Sequence, residues 1–101
     1  MSSSPDSLTA FLDLLSQVEE LSSRPMMGEY LLYSRGVLFG GVYDDRLLVK
    51  ATPSALAALP TAETPYPGAK PMRLVDIDDP NALGELVARI VDELPRPRKR
   101  G

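Results

Sequence analysis

The sequence predicts an α+β domain: one antiparallel sheet with helices, in the order α-β-β-β-α-(β)-β-α. Three observations lead there. Apolar residues recur every three or four positions near both ends of the chain, the spacing of amphipathic helices. Between them, residues 30–50 hold three short apolar runs separated by turn-forming residues, as a strand meander requires. The strands are grouped together rather than alternating with helices, which favours antiparallel pairing.

Residues 1–5 read as a disordered lead, and Asp6 or Ser7 supplies a side-chain oxygen to cap a helix start. Leu8, Phe11, Leu12, Leu15, Val18 and Leu21 then form the stripe of a helix of about four turns, with Asp13, Gln17 and Glu20 on its polar side. Ser22-Ser23-Arg24-Pro25 is expected to close it, because proline restricts the residue before it and donates no helical bond.

Tyr30–Tyr33 is the first expected strand, Val37–Tyr43 the second and Arg46–Lys50 the third. Ser34-Arg35-Gly36 and Asp44-Asp45 are the turns between them, with Gly36 free to take positive φ. In the third strand Leu47 and Val49 share one face, while Arg46, Leu48 and Lys50 share the other.

Pro53–Leu59 reads as a short helix that Pro60 stops. A loop follows over 61–70, with a brief strand considered around Thr64–Tyr66, and then a strand over Met72–Ile77. Asp79-Pro80 opens the last helix, whose stripe is Leu83, Leu86, Val87, Ile90, Val91 and Leu94. Domain-like character therefore spans 6–95, and 96–101 reads as a basic disordered tail.

Composition excludes several chemistries. The 101 residues include no Cys and no His, so zinc fingers, disulfides and imidazole-based catalysis are ruled out. The formal charge is -3, unevenly spread: four of the 11 basic residues lie after Pro95, which leaves seven against 14 acidic groups in the rest. An acidic body repels a phosphate backbone, whereas the tail attracts one. The N-terminus lacks a basic signal-peptide region, and no apolar run approaches the ~20 residues of a membrane span. The expected location is cytoplasmic, with no membrane association.

Two stretches carry a family likeness. Arg24-Pro25-Met26-Met27-Gly28-Glu29-Tyr30 leads into Tyr33-Ser34-Arg35-Gly36 and Asp44-Asp45-Arg46-Leu47-Leu48-Val49-Lys50; Pro65–Met72 follows, with Leu74-Val75-Asp76 after it. Together they resemble the TfoX/Sxy family N-terminal domain, over nearly all of residues 6–95. The resemblance implies a secretion-chaperone-like fold, α-β(3)-α-β(2)-α, that pairs as a dimer. Longer members regulate natural competence with a cyclic-AMP receptor protein and carry a C-terminal helical domain. This sequence is similar to the short, single-domain members, for which the resemblance supplies no substrate, cofactor or catalytic residue.

Each candidate site has two readings. The family-motif residues Met26, Met27, Gly28, Tyr30, Tyr33, Gly36, Asp44, Asp45, Arg46 and Lys50 are expected to be structural. For Met26-Met27 that means core filling, and the alternative is an adaptable thioether surface. Gly40-Gly41 suits a bulge or close backbone approach better than a ligand cradle. Asp44 and Asp45 suit a tight turn better than a metal, since neighbouring strand residues face opposite ways. Arg46 and Lys50 on one strand face could clamp an anion, against a solvated face or a salt bridge. Asp76-Ile77-Asp78-Asp79 matches half of a calcium loop but lacks its glycine and terminal Glu, and helix capping accounts for it. Arg96, Arg98, Lys99 and Arg100 could touch a few phosphates or an acidic partner.

No catalytic, metal or cofactor site is expected. The sequence reads as a non-enzymatic, homodimeric protein-interaction or regulatory module with an unidentified protein partner. The alternative is a nucleic-acid-associated factor making weak DNA or RNA contact through the tail.

Overall fold

Three two-residue turns set the register of the sheet. In the computed structural model, which describes residues 3–95, strands β1 (Leu21–Met26), β2 (Glu29–Ser34), β3 (Val37–Tyr43) and β4 (Arg46–Val49) are joined by Met27-Gly28, Arg35-Gly36 and Asp44-Asp45. All six turn residues have positive φ, between 50° and 87°. Such paired left-handed residues give the turn whose twist matches that of the flanking strands. Two more strands, β5 (Ala62–Glu63) and β6 (Met72–Leu74), complete an antiparallel sheet of order β1-β2-β3-β4-β6-β5.

A bulge lets β3 bury residues of both parities. Tyr33 pairs with Leu38 but Leu32 pairs with Gly40, so Phe39 is the extra residue. Without that extra residue Val37 and Phe39 would face away from Val42. With it, all three join one core together with Leu32, Leu47 and Val49. The glycines beside the bulge are held by close approach. A Cβ on Gly40 would overlap the Leu48 carbonyl oxygen, and one on Gly41 would lie 2.6 Å from the Tyr30 carbonyl oxygen and 2.7 Å from the Tyr43 ring.

Helices α1 (Pro5–Leu14), α2 (Pro53–Ala58) and α3 (Pro80–Glu93) begin alike. Ser4, Thr52 and Asp79 each precede a proline, and each side chain accepts a first-turn N–H, from Ser7, Ala55 and Ala82. The predicted stripe of α3 is fully buried from Leu83 to Val91. Its Gly84 lets the backbone after α1 come close, since a Cβ there would sit 2.7 Å from the Gln17 Cβ. Glu93, at the far end of α3, accepts from the Ser54 N–H at 3.0 Å and from its hydroxyl at 2.5 Å, tying α3 to the start of α2.

The α+β class and the element order hold, with one strand added. The first helix ends at Leu14 rather than running to Leu21, and the segment expected to close it forms β1. Leu15 and Val18 keep their place in the core, but on turns: Val18 N–H donates to Leu15 O and Ser16 N–H to Asp13 O. Glu20, at φ 45°, then reverses the chain into β1. Pro25 is compatible with this strand because β1 is the sheet edge. Counting outward from the two-residue turn, Met26 and Glu29 bond directly and Pro25 faces outward, where no ladder bond needs its N–H.

The lead also differs from expectation, since Ser3 is buried and Ser4 caps α1. The brief fifth strand lies at Ala62–Glu63, just before the predicted Thr64. Among the described residues, no helix is long and apolar enough to cross a membrane.

Candidate functional site: the outer face of the sheet

All three helices contribute to the core on one face of the sheet. The other face follows from the pairing register. Leu31, Gly41, Leu48 and Leu74 pair in turn across four strands. Alternation then adds Glu29 and Tyr33 on β2, Tyr43 on β3, Arg46 on β4 and Met72 on β6. Leu48 and Tyr43 are buried although they lie outside the main core. The connection from β5 to β6, residues 64–71, accounts for this by folding back over β3 and β4.

Arg46 anchors that connection. Its guanidinium pairs with Glu63 and donates to the Thr64 carbonyl at 3.3 Å. Pro65 is buried, Ala69 N–H closes a turn onto Tyr66 O at 3.1 Å, and Tyr66 stands 57% exposed. Burial, then the neighbouring Tyr66, Glu29 and Tyr33, push the Tyr43 phenol above its ordinary value.

Between this loop and the sheet runs a groove of about 520 Å³. Its apolar wall includes Leu38, Pro71 and Met72; its polar groups include Tyr43, Lys50 and Lys70. Among the described residues no carboxylate lines it. On the other side of Pro65 and Tyr66 lies a second hollow, bordered by Glu29, Asp44 and Arg46.

The paired aspartates belong to a separate network at the end of the sheet. Ser3 hydroxyl donates to Glu29 Oε1 at 2.7 Å and accepts from the Asp45 N–H at 3.0 Å. The Asp44 N–H donates to both Glu29 oxygens, at 3.1 and 3.2 Å. Asp45 Oδ1 accepts from the Ser4 N–H at 2.8 Å. That bond, with one from the Ser7 side chain, holds the Asp45 carboxyl below its usual range. Asp44 and Asp45 are therefore turn residues that lash the N-terminal segment to β3 and β4. Among the described residues no group of three or more His, Cys, Asp or Glu could hold a metal.

The remaining sequence candidates separate cleanly. Tyr30 packs against the core and Tyr33 lies on the outer face, while Gly28 and Gly36 are turn residues. Met26 and Met27 do not fill the core: they are 39% and 96% exposed at the β1–β2 tip. Arg46 and Lys50 form no joint clamp, because Arg46 is spent on Glu63. Asp79 caps α3, as capping rather than calcium predicted. Arg96, Arg98, Lys99 and Arg100 lie outside the described residues.

Sequence reasoning did not bring Lys50, Lys70 and Tyr43 together. Its one available signal was that the two motif stretches, ending at Lys50 and Met72, both carried the family likeness. A search of curated proteins finds no match. The profile of the TfoX N-terminal domain, in contrast, matches residues 13–89, from the end of α1 through most of α3. With 77 of 101 residues inside that match, the chain belongs to the TfoX N-terminal domain family.

Proposed function

We propose that this chain is a non-enzymatic regulatory module of the competence-regulator type, working by protein–protein contact and pairing with a second copy. The supporting observation is the uncovered half of the outer sheet face. On the outer face of β1 and β2, half-buried Leu31 and Tyr33 pair with Arg24 and Ser22 of the edge strand, and exposed Met26 and Met27 lie at the hairpin tip. Flexible thioethers and half-buried apolar side chains among polar neighbours, on a sheet edge, suit a protein interface. The acidic groups nearest it are occupied as hydrogen-bond acceptors in the Ser3 network, which favours recognition over proton transfer.

Sedimentation at micromolar concentration tests the pairing. A dimer that Leu31→Arg converts to monomer supports it, and a protein monomeric throughout refutes it.

A further inference from the structure

We propose that the groove beneath the 64–71 loop binds a small aromatic carboxylate. Three features carry this. Its volume of about 520 Å³ falls inside the roughly 300–1,000 Å³ typical of small-molecule sites. Leu38, Pro71 and Met72 line it together with Tyr43 and Tyr66, which offers apolar and aromatic surface to a ring. Among the described residues, the charged ones that line it are Lys50 and Lys70.

In a chain of net charge -3, two lysines and no carboxylate in one groove make a local reversal of sign. Neither ammonium nor the Tyr43 hydroxyl has a hydrogen-bond or ion-pair partner among the described residues. The raised Tyr43 phenol keeps its proton at neutral pH and stays a donor.

Surroundings limit what fits. Glu29 and Asp44 border the hollow across the loop, so an extended polyanion following the groove would meet carboxylates. A compact monoanion would set the two lysines against the one Glu29 charge that already acts on Tyr43. The ring supplies contact area against the apolar wall, and the carboxylate takes the lysines and the phenol. This site borders the β1–β2 surface proposed for protein contact, since Leu38 of its lining pairs with Tyr33, but its lysines lie outside that surface.

The test uses the full chain, amide-resolved NMR, and two probes of one shape: naphthalene-1-acetate and its neutral amide. The acid should shift the Gly40, Ala51 and Ala69 amides, with half-saturation near about 1 mM or below for a ligand of this size. The amide should bind at least about fivefold more weakly, and Lys50→Gln with Lys70→Gln should remove that difference. Both lysines are at least partly exposed, so the variant's spectrum reports whether it stays folded.

Four results would overturn the proposal: no shifts, equal binding of acid and amide, shifts confined to other surfaces, or inorganic phosphate binding as well as the acid. Groove amides that shift on concentrating the protein without a probe would also overturn it, assigning the groove to a second copy. Failure of Leu31→Arg to alter sedimentation leaves this outcome untouched, so the two readings fail separately.

Discussion

Replacing Met27 should stabilise the fold while weakening its self-association. Met27 is the first residue of a two-residue turn, at φ 52°, and is 96% exposed. A side chain other than Gly, Asn or Asp in the left-handed region costs roughly 1–2 kcal/mol. Asn tolerates that region, and Asn-Gly is the favoured pair for this turn, so Met27→Asn should recover about 0.5–1 kcal/mol. Little is lost in exchange, because an almost fully exposed thioether has almost no burial to give up. For a domain of about this size the gain corresponds to a Tm rise of about 2–8 °C.

Thermal unfolding by circular dichroism at the most dilute usable concentration measures it, before pairing contributes to the transition. Sedimentation of the same variant should show weaker dimerisation. A Tm that stays level or falls in dilute protein would falsify the strain argument. A higher Tm with unchanged pairing would remove Met27 from the proposed interface.

Three further outcomes follow from the contacts. Gly40→Ala should destabilise by about 3 kcal/mol, since the added methyl meets β4 backbone that no rotamer change can move; chemical denaturation reads it directly. Ser3→Ala should lose about 1–2 kcal/mol by leaving the Asp45 N–H without its acceptor, and its denaturant midpoint should fall without a change in slope. Acid should weaken the fold through Asp45 and Glu93, whose carboxyls lie below their usual values, Glu93 chiefly through the Ser54 hydroxyl. A depressed folded-state pKa adds stability above the unfolded value, and this is lost as pH falls through the folded one. Asp45→Asn with Glu93→Gln should therefore flatten the pH dependence of Tm below about pH 4.5.

What was legible in the sequence was mostly local. The Asp79-Pro80 start, the stripe of α3 and the bounds of Val37–Tyr43 need only neighbouring residues to be recognised. The first helix misled because Leu15, Val18 and Leu21 continue its spacing; turns and a strand deliver them to the same core. Ser4-Pro5 carried the same start signal as Thr52-Pro53 and Asp79-Pro80, yet lay in what looked like a loose lead. Ser3 shows why: its worth comes from Glu29 and Asp45, far along the chain. The groove was illegible for a related reason. Lys50 and Lys70 line one groove only because a loop folds back over the sheet, and no spacing rule encodes that return.

The attachment of that loop sets how the domain breathes. On one side the roof is anchored through β5, a strand of two residues paired only with β6, and through the Arg46–Glu63 contact. β6 itself joins β4 through two paired positions, whereas β2 and β3 are paired along most of their length and buried by the helices. Segments with few paired positions open at free energies well below that of global unfolding. The 62–74 unit should thus exchange its amide hydrogens far sooner than β2 and β3. The four-stranded meander and its helices should form the persistent platform, so opening of the 62–74 unit would uncover Leu48 and Tyr43 while leaving the core intact.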